Sequence, residues 1–93
     1  MVTIKPEPLT GTYRTARLTG LTKEDIVKAL GFEPNAEDDP DKVVNSWSFT
    51  IDGNACAIWD YKGSHLLNIW SAFDPFGKLY SIFDADNIQD ESK

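Results

Sequence analysis

Few residues in this 93-residue chain could do chemistry: one cysteine, Cys56, one histidine, His65, and a surplus of carboxylates, fifteen Asp and Glu against nine Lys and Arg. Ser64 beside His65 has the residue types of a nucleophile and its base. The pair falls in a predicted turn, however, with Asp60 and Asp52 as the nearby acids and neither an orienting carboxylate nor an enclosed pocket. Cys56 has no cation close in sequence, so it reads as a small buried hydrophobe rather than a thiolate. With no second cysteine there is no intramolecular disulfide, and nothing in the sequence has zinc-ligand spacing. The acid run EDDPD at 37–41 lacks the alternating spacing, glycine and distal glutamate of a calcium loop, and DADN at 84–87 starts like one but has Ile88 at position five and no glycine after it. No catalytic residue, metal or cofactor is expected.

The acids have a second use. Carboxylates spaced like phosphates can occupy the basic groove of a nucleic-acid-binding protein, with association steered electrostatically and weakened by salt. Glu37, Asp38, Asp39 and Asp41 are the candidates for that contact, in a stretch EPNAEDDPD with five acids, two prolines and no base. Residues 1–30 carry a net +2 and residues 31–93 a net −8, so the charge of −6 is unevenly placed. Arg14, Arg17, Lys23 and Lys28 make the start basic, but no phosphate loop or RNA-binding motif accompanies them, and direct nucleic-acid binding is not expected. Asp60, between Trp59 and Tyr61, points to the core side of a strand end, where a carboxylate needs a partner such as Lys62, His65 or a backbone amide.

The elements that must position these groups follow from local signals. The length bounds the chain to one domain at 1–93, and 41% hydrophobic and 12% aromatic residues are too many for a disordered chain. No run approaches the roughly 18 apolar residues of a membrane span, and no basic segment followed by an apolar one opens the chain, so a cytoplasmic protein is expected. Residues 1–9, with Pro6 and Pro8, read as a flexible lead, 11–19 as a strand, and 85–93 as an acidic tail that frays. Thr22 with Asp25 predicts a capping box, Leu21 with Ile26 a hydrophobic staple, and Gly31 a left-handed stop, placing a helix at about 22–31. Asp52-Gly53 and Gly63-Ser64 predict two-residue hairpin turns joining strands at about 43–51, 54–62 and 65–73. Asp74-Pro75 then opens a second helix to about residue 84, with Phe76, Leu79, Tyr80 and Phe83 at helical spacing. The fold class is α+β, a small single-layer antiparallel sheet with two helices in the order β-α-β-β-β-α.

Two-residue turns fix which side chains face each other. The first pairs Phe49 with Cys56 and Trp47 with Ile58; the second pairs Ile58 with Ile69 and Asp60 with Leu67. The core face is then Trp47, Phe49, Ile51, Cys56, Ile58, Leu67, Ile69 and Phe73. The other face collects Ser46, Ser48, Thr50, Ala55 and Ala57, with Trp59, Tyr61, Leu66 and Trp70 gathered at the second hairpin. Such aromatic anchors ringed by small polar residues have the makeup of an interaction hot spot.

The segment WSFTIDGNACAIWDYKGS at 47–64, followed by WSAFDP at 70–75, resembles small accessory proteins of unassigned function encoded by tailed bacteriophages and mobile elements. The resemblance covers about half the chain and implies a protein that binds and inhibits a host protein, including defence proteins; it carries no site residues. The expected function is a non-catalytic acidic inhibitor of a host nucleic-acid-handling or defence protein, working through Glu37, Asp38, Asp39 and Asp41 or through Trp59, Tyr61, Leu66 and Trp70. The alternatives are a structural protein whose aromatic face is buried in a homodimer, and a small-molecule binder with an aromatic pocket.

Overall fold

The computed structural model describes residues 2–8, 13–35, 43–61 and 63–91. They form a small α+β fold: one antiparallel sheet of six strands, one α-helix and three single 3-10 turns. The strands are β1 (Ile4–Pro6), β2 (Ala16–Thr19), β3 (Val43–Ile51), β4 (Asn54–Tyr61), β5 (Ile69–Phe73) and β6 (Ile88–Asp90), with α1 at Lys23–Leu30. In space they lie in the order β1-β3-β4-β5-β2-β6. Trp47, Phe49, Ile51, Cys56, Ile58, Trp70, Ala72, Ala16 and Leu18 share one face and pack against Ile26 and Leu30 of α1 and against Leu79 and Phe83.

The long hairpin forms as its turn chemistry dictates. Asp52 and Gly53 both take positive φ, 50° and 84°, which a type I′ turn requires and which Gly meets without a Cβ penalty. The register pairs Phe49 with Cys56 and Trp47 with Ile58, as the two-residue turn demands. The helix is also local in origin. Asp25 N–H donates to Thr22 Oγ1 at 3.1 Å and Thr22 N–H to an Asp25 carboxylate oxygen at 2.9 Å, and Gly31 closes the last turn with φ 88°.

The second hairpin departs from the two-residue turn. Gly63 and Asn68, at φ 78° and 57°, bracket a 3-10 turn at Ser64–Leu67, so β5 starts only at Ile69. Ile58 consequently pairs with Ala72 instead of Ile69. That slip is odd, and side chains alternate with period two, so every β5 residue changes face. Trp70 moves into the core at 0% exposure, where its indole N–H donates to the Leu21 carbonyl at 2.8 Å and its ring meets Trp47 edge-on at 5.4 Å. Phe73 moves to the outer face, and Leu67 leaves the core for an exposed turn.

Three further expectations are corrected. The helix expected from Asp74-Pro75 does not form: the Asp74 carboxylate accepts from the backbone of Lys78 and Leu79 at 2.7 and 2.9 Å, and Gly77 at φ 67° is the residue before a lone 3-10 turn at Lys78–Ser81. Leu79 and Phe83 are buried while Phe76 and Tyr80 are 64% and 46% exposed, so the helical spacing does not become one stripe. The acidic end forms β6 beside β2, pinned by Asn87 Nδ2 to Thr19 O at 2.8 Å and Glu91 N to Thr15 O at 2.8 Å, where fraying was expected. Likewise β1 pairs with β3 within the segment read as a flexible lead, and its proline sits on an edge strand, where a missing N–H costs no ladder bond.

Beyond β1 the edge of β3 is closed by one side chain. Asn35 Nδ2 donates to Ser48 O at 3.0 Å, Ser48 N–H donates to Asn35 Oδ1 at 2.9 Å, and Asn35 N–H donates to Ser46 O at 3.0 Å. The carboxamide thus stands in for a strand peptide and blunts the edge.

Two measurements test this fold. In a Trp59→Phe variant the remaining emission, from the buried Trp47 and Trp70, should resist acrylamide quenching; if Trp70→Phe instead removes the quenchable component, the β5 register given above is wrong. Asn35→Ala should lower stability by about 1–3 kcal/mol, since it strips partners from a buried strand. A urea midpoint equal to the parent's would show that water replaces the carboxamide without loss.

Candidate functional site

The groups with chemical potential serve the fold. The β3–β4 register slips between Val43 and Ser46, which takes the Asn45 amide out of the ladder. The fully buried Asp60 receives it: Asn45 N–H donates to Asp60 Oδ1 at 2.7 Å, and Asn45 Nδ2 approaches Oδ2 at 3.5 Å. A backbone amide is therefore among the partners of this carboxylate, one of the three kinds the sequence proposed for it. Cys56 is fully buried, its Sγ 3.6 Å from an Asp74 carboxylate oxygen that also caps the following turn. Burial first, and the Asp74 charge second, push the thiol far above its ordinary value, so it is neutral and non-nucleophilic. Asp74 N–H donates to Thr15 Oγ1 at 2.8 Å, tying the start of β2 to the end of β5. Among the described residues no three His, Cys, Asp or Glu side chains gather in a way that could hold a metal ion. No helix among them is long and apolar enough to cross a membrane.

The proposed contact residues separate. Glu37, Asp38, Asp39 and Asp41 lie outside the described residues. Trp59 is on the outer face, half-buried, opposite Ser46 and Ser71. Tyr61 ends β4 opposite Val43. Leu66 lies in the 3-10 turn rather than on a strand, and Trp70 is removed from the surface altogether by the odd register slip. The four-residue patch is thus dissolved: Trp59 and Leu66 stay near one end of the sheet, and Trp70 belongs to the core.

That end carries a feature the sequence pattern hid. Leu66 and Leu67 are 79% and 74% exposed, side by side on a turn that the backbone holds in shape. Leu66 N–H donates to Gly63 O at 3.0 Å, and Asn68 O accepts from Gly20 N–H at 3.0 Å, anchoring the far side of the turn to the β2–α1 connection. Gly20 is required there: its φ is 74°, and a Cβ would come within 3.2 Å of Asn87 Nδ2. Ile69, the first residue of β5, shares the outer face with Trp59 as a diagonal neighbour. Leu67 and Ile69 had been assigned to the core by the two-residue turn. The signal that could have placed them is Asn68, a residue tolerant of left-handed backbone, closing a four-residue segment opened by Gly63.

Other surfaces are more polar. A depression of about 540 Å³ at the opposite end is lined by Lys5, Glu7, Thr50 and Asp52 among others. One of about 370 Å³ lies along the exposed side of α1 between Lys23, Val27 and Glu33. On the outer face Arg14 Nε lies 2.9 Å from Glu91 Oε1 and Arg17 3.7 Å from its other oxygen, and Tyr13 meets Phe73 edge-on at 5.2 Å. Against known proteins, the chain matches no family model, no curated protein and no solved structure.

The thiol supplies a test of the site chemistry. In the folded state Cys56 should resist a thiol reagent at neutral pH and react fully in denaturant. Because its folded value lies above the unfolded value near 9.0, its contribution to stability is intact below that pH and falls as the pH rises above it, where the unfolded thiol ionises. Rapid labelling of the native protein at neutral pH would contradict the burial.

Proposed function

We propose that this chain is a non-catalytic protein-binding domain whose contact surface is the Leu66–Leu67 turn, with Trp59 and Ile69 beside it. The observation that carries the reading is the exposure of two consecutive leucines on a conformationally held turn. Exposed leucines singly are ordinary, but a pre-shaped pair loses little conformational entropy on docking, and each leucine buried in a partner is worth roughly 1.5–3 kcal/mol. The inert thiol and the structural roles of Asp60 and Asp74 support a binding rather than a catalytic role. Inhibition of a host nucleic-acid-handling or defence protein, in the setting of a bacteriophage or mobile element, is the form this function takes on the sequence's charge and likeness. Of the four residues expected on the aromatic face, Trp59 and Leu66 stay in this contact, and Leu67 and Ile69 join them in place of Tyr61 and the buried Trp70.

The test is partner capture from a bacterial lysate by the wild-type chain and by a Leu66→Ser, Leu67→Ser double variant. Both leucines are exposed, so the variant's thermal midpoint should stay within a few degrees of the parent's, while affinity for the captured species should fall about 100-fold or more. Equal capture by both proteins would remove the turn from the interface. Light scattering on the same pair identifies a second copy of the chain as the partner if a dimer forms and the variant abolishes it.

A further inference from the structure

We propose that the partner element received by the Leu66–Leu67 turn is a cationic amphipathic helix, an inference that rests on the reading of that turn as the contact surface. The charges placed around the leucines carry it. Gly20 joins three segments at one end of the sheet: its N–H donates to the Asn68 carbonyl of the leucine turn, the Thr19 carbonyl just before it accepts from Asn87 Nδ2 at 2.8 Å, and it leads through Leu21 into α1. The first turn of α1, with Glu24 and Asp25, and the 3-10 turn Ala85–Asn87, with Asp84 before it and Asp86 within it, therefore lie at the end that bears Leu66 and Leu67.

All four carboxylates are exposed. Lys23, in the same helical turn as Glu24, lies 3.9 Å from Glu33 and is partly neutralised there. Hydrogen bonds with the Thr22 backbone and side chain hold the Asp25 carboxyl below its ordinary range, so it is ionised at neutral pH.

An apolar pair flanked by acids complements an apolar stripe flanked by lysine or arginine, the pattern of a basic amphipathic helix, whose anchors recur at i, i+3, i+4 and i+7. The same acids disfavour the other occupants of an exposed leucine turn. A phosphate backbone and an anionic bilayer surface are both repelled by carboxylates at a Debye-length range of roughly 8 Å.

The experiment uses the full chain and three labelled helical peptides with leucines at that spacing, flanked by lysine, glutamine or glutamate, in fluorescence anisotropy at low and high salt. The lysine peptide should bind. Binding should weaken about tenfold at high salt and for the glutamine peptide, be lost for the glutamate peptide, and weaken about three- to tenfold for an Asp84→Asn, Asp86→Asn variant. If the lysine and glutamine peptides bind alike and the asparagine variant matches the wild type, while the leucine-to-serine double variant loses both, the turn is the contact surface but the cationic helix is overturned.

If the double variant binds the lysine peptide as the wild type does, the reading of the turn fails with it. If no peptide binds, the cationic helix is overturned, and leucine-dependent binding to phosphatidylcholine vesicles would put a bilayer in its place. The peptide series itself changes charge without touching the protein, so a misfolded variant cannot produce the expected pattern.

Discussion

The rest of this structure depends on the parity of the β4–β5 register. Side chains alternate along a strand with period two, so the residue count of one connection decides which half of β5 faces the core. The seven residues between Tyr61 and Ile69, four of them in a 3-10 turn, are an odd number where a two-residue turn is even, and they put Trp70 inside. From there Trp70 reaches Trp47 on β3 and the Leu21 carbonyl at the approach to α1. The edge-to-face pair is worth about 0.5–1.5 kcal/mol beyond the area it buries. The indole hydrogen bond fixes where the chain leaves β2 for the helix. Had the turn been two residues long, Phe73 would occupy that side and the indole would stand in water.

A second layer of constraint is polar. A short sheet with one helix offers a small apolar layer, and its buried polar groups must be paired or they cost about 1–3 kcal/mol each. Asp74 collects the amides that open the following turn and takes the Cys56 thiol as well. Asp60 collects the amide released by the β3 irregularity. Asn35 does for the β3 edge what another strand would do. Each of these side chains converts a backbone discontinuity into a satisfied one, and each is thereby committed to the fold and withdrawn from chemistry.

The surface that remains follows from the same event. The turn that sends Trp70 inward also carries Leu66 and Leu67 outward, because a single 3-10 turn at a sheet end has no core to bury them in. Core and contact surface are in this sense one decision. The acids near that end come from segments distant in sequence, the first turn of α1 and the approach to β6, brought together at Gly20.

What the sequence by itself determined is what local chemistry dictates. The capping box and Gly31 set α1, the Asp52-Gly53 turn set the first hairpin and its register, and the period-two pattern of 47–58 set one face of the core. The antiparallel α+β class follows from these. Only the tertiary structure decided the second hairpin, because Gly63-Ser64 suits a two-residue turn as well as a longer one, and the choice lies with the burial of Trp70. It also reduced the second helix to a 3-10 turn, since Gly77 takes a left-handed conformation that the spacing of Phe76, Leu79, Tyr80 and Phe83 does not reveal. The acidic end became an edge strand because β2 has a free side to pair with, a fact about neighbours in space. Leu66 was legible as a surface residue; its partner Leu67 was not, because a pattern read in twos assigns a face to every residue and cannot show where the strand stops.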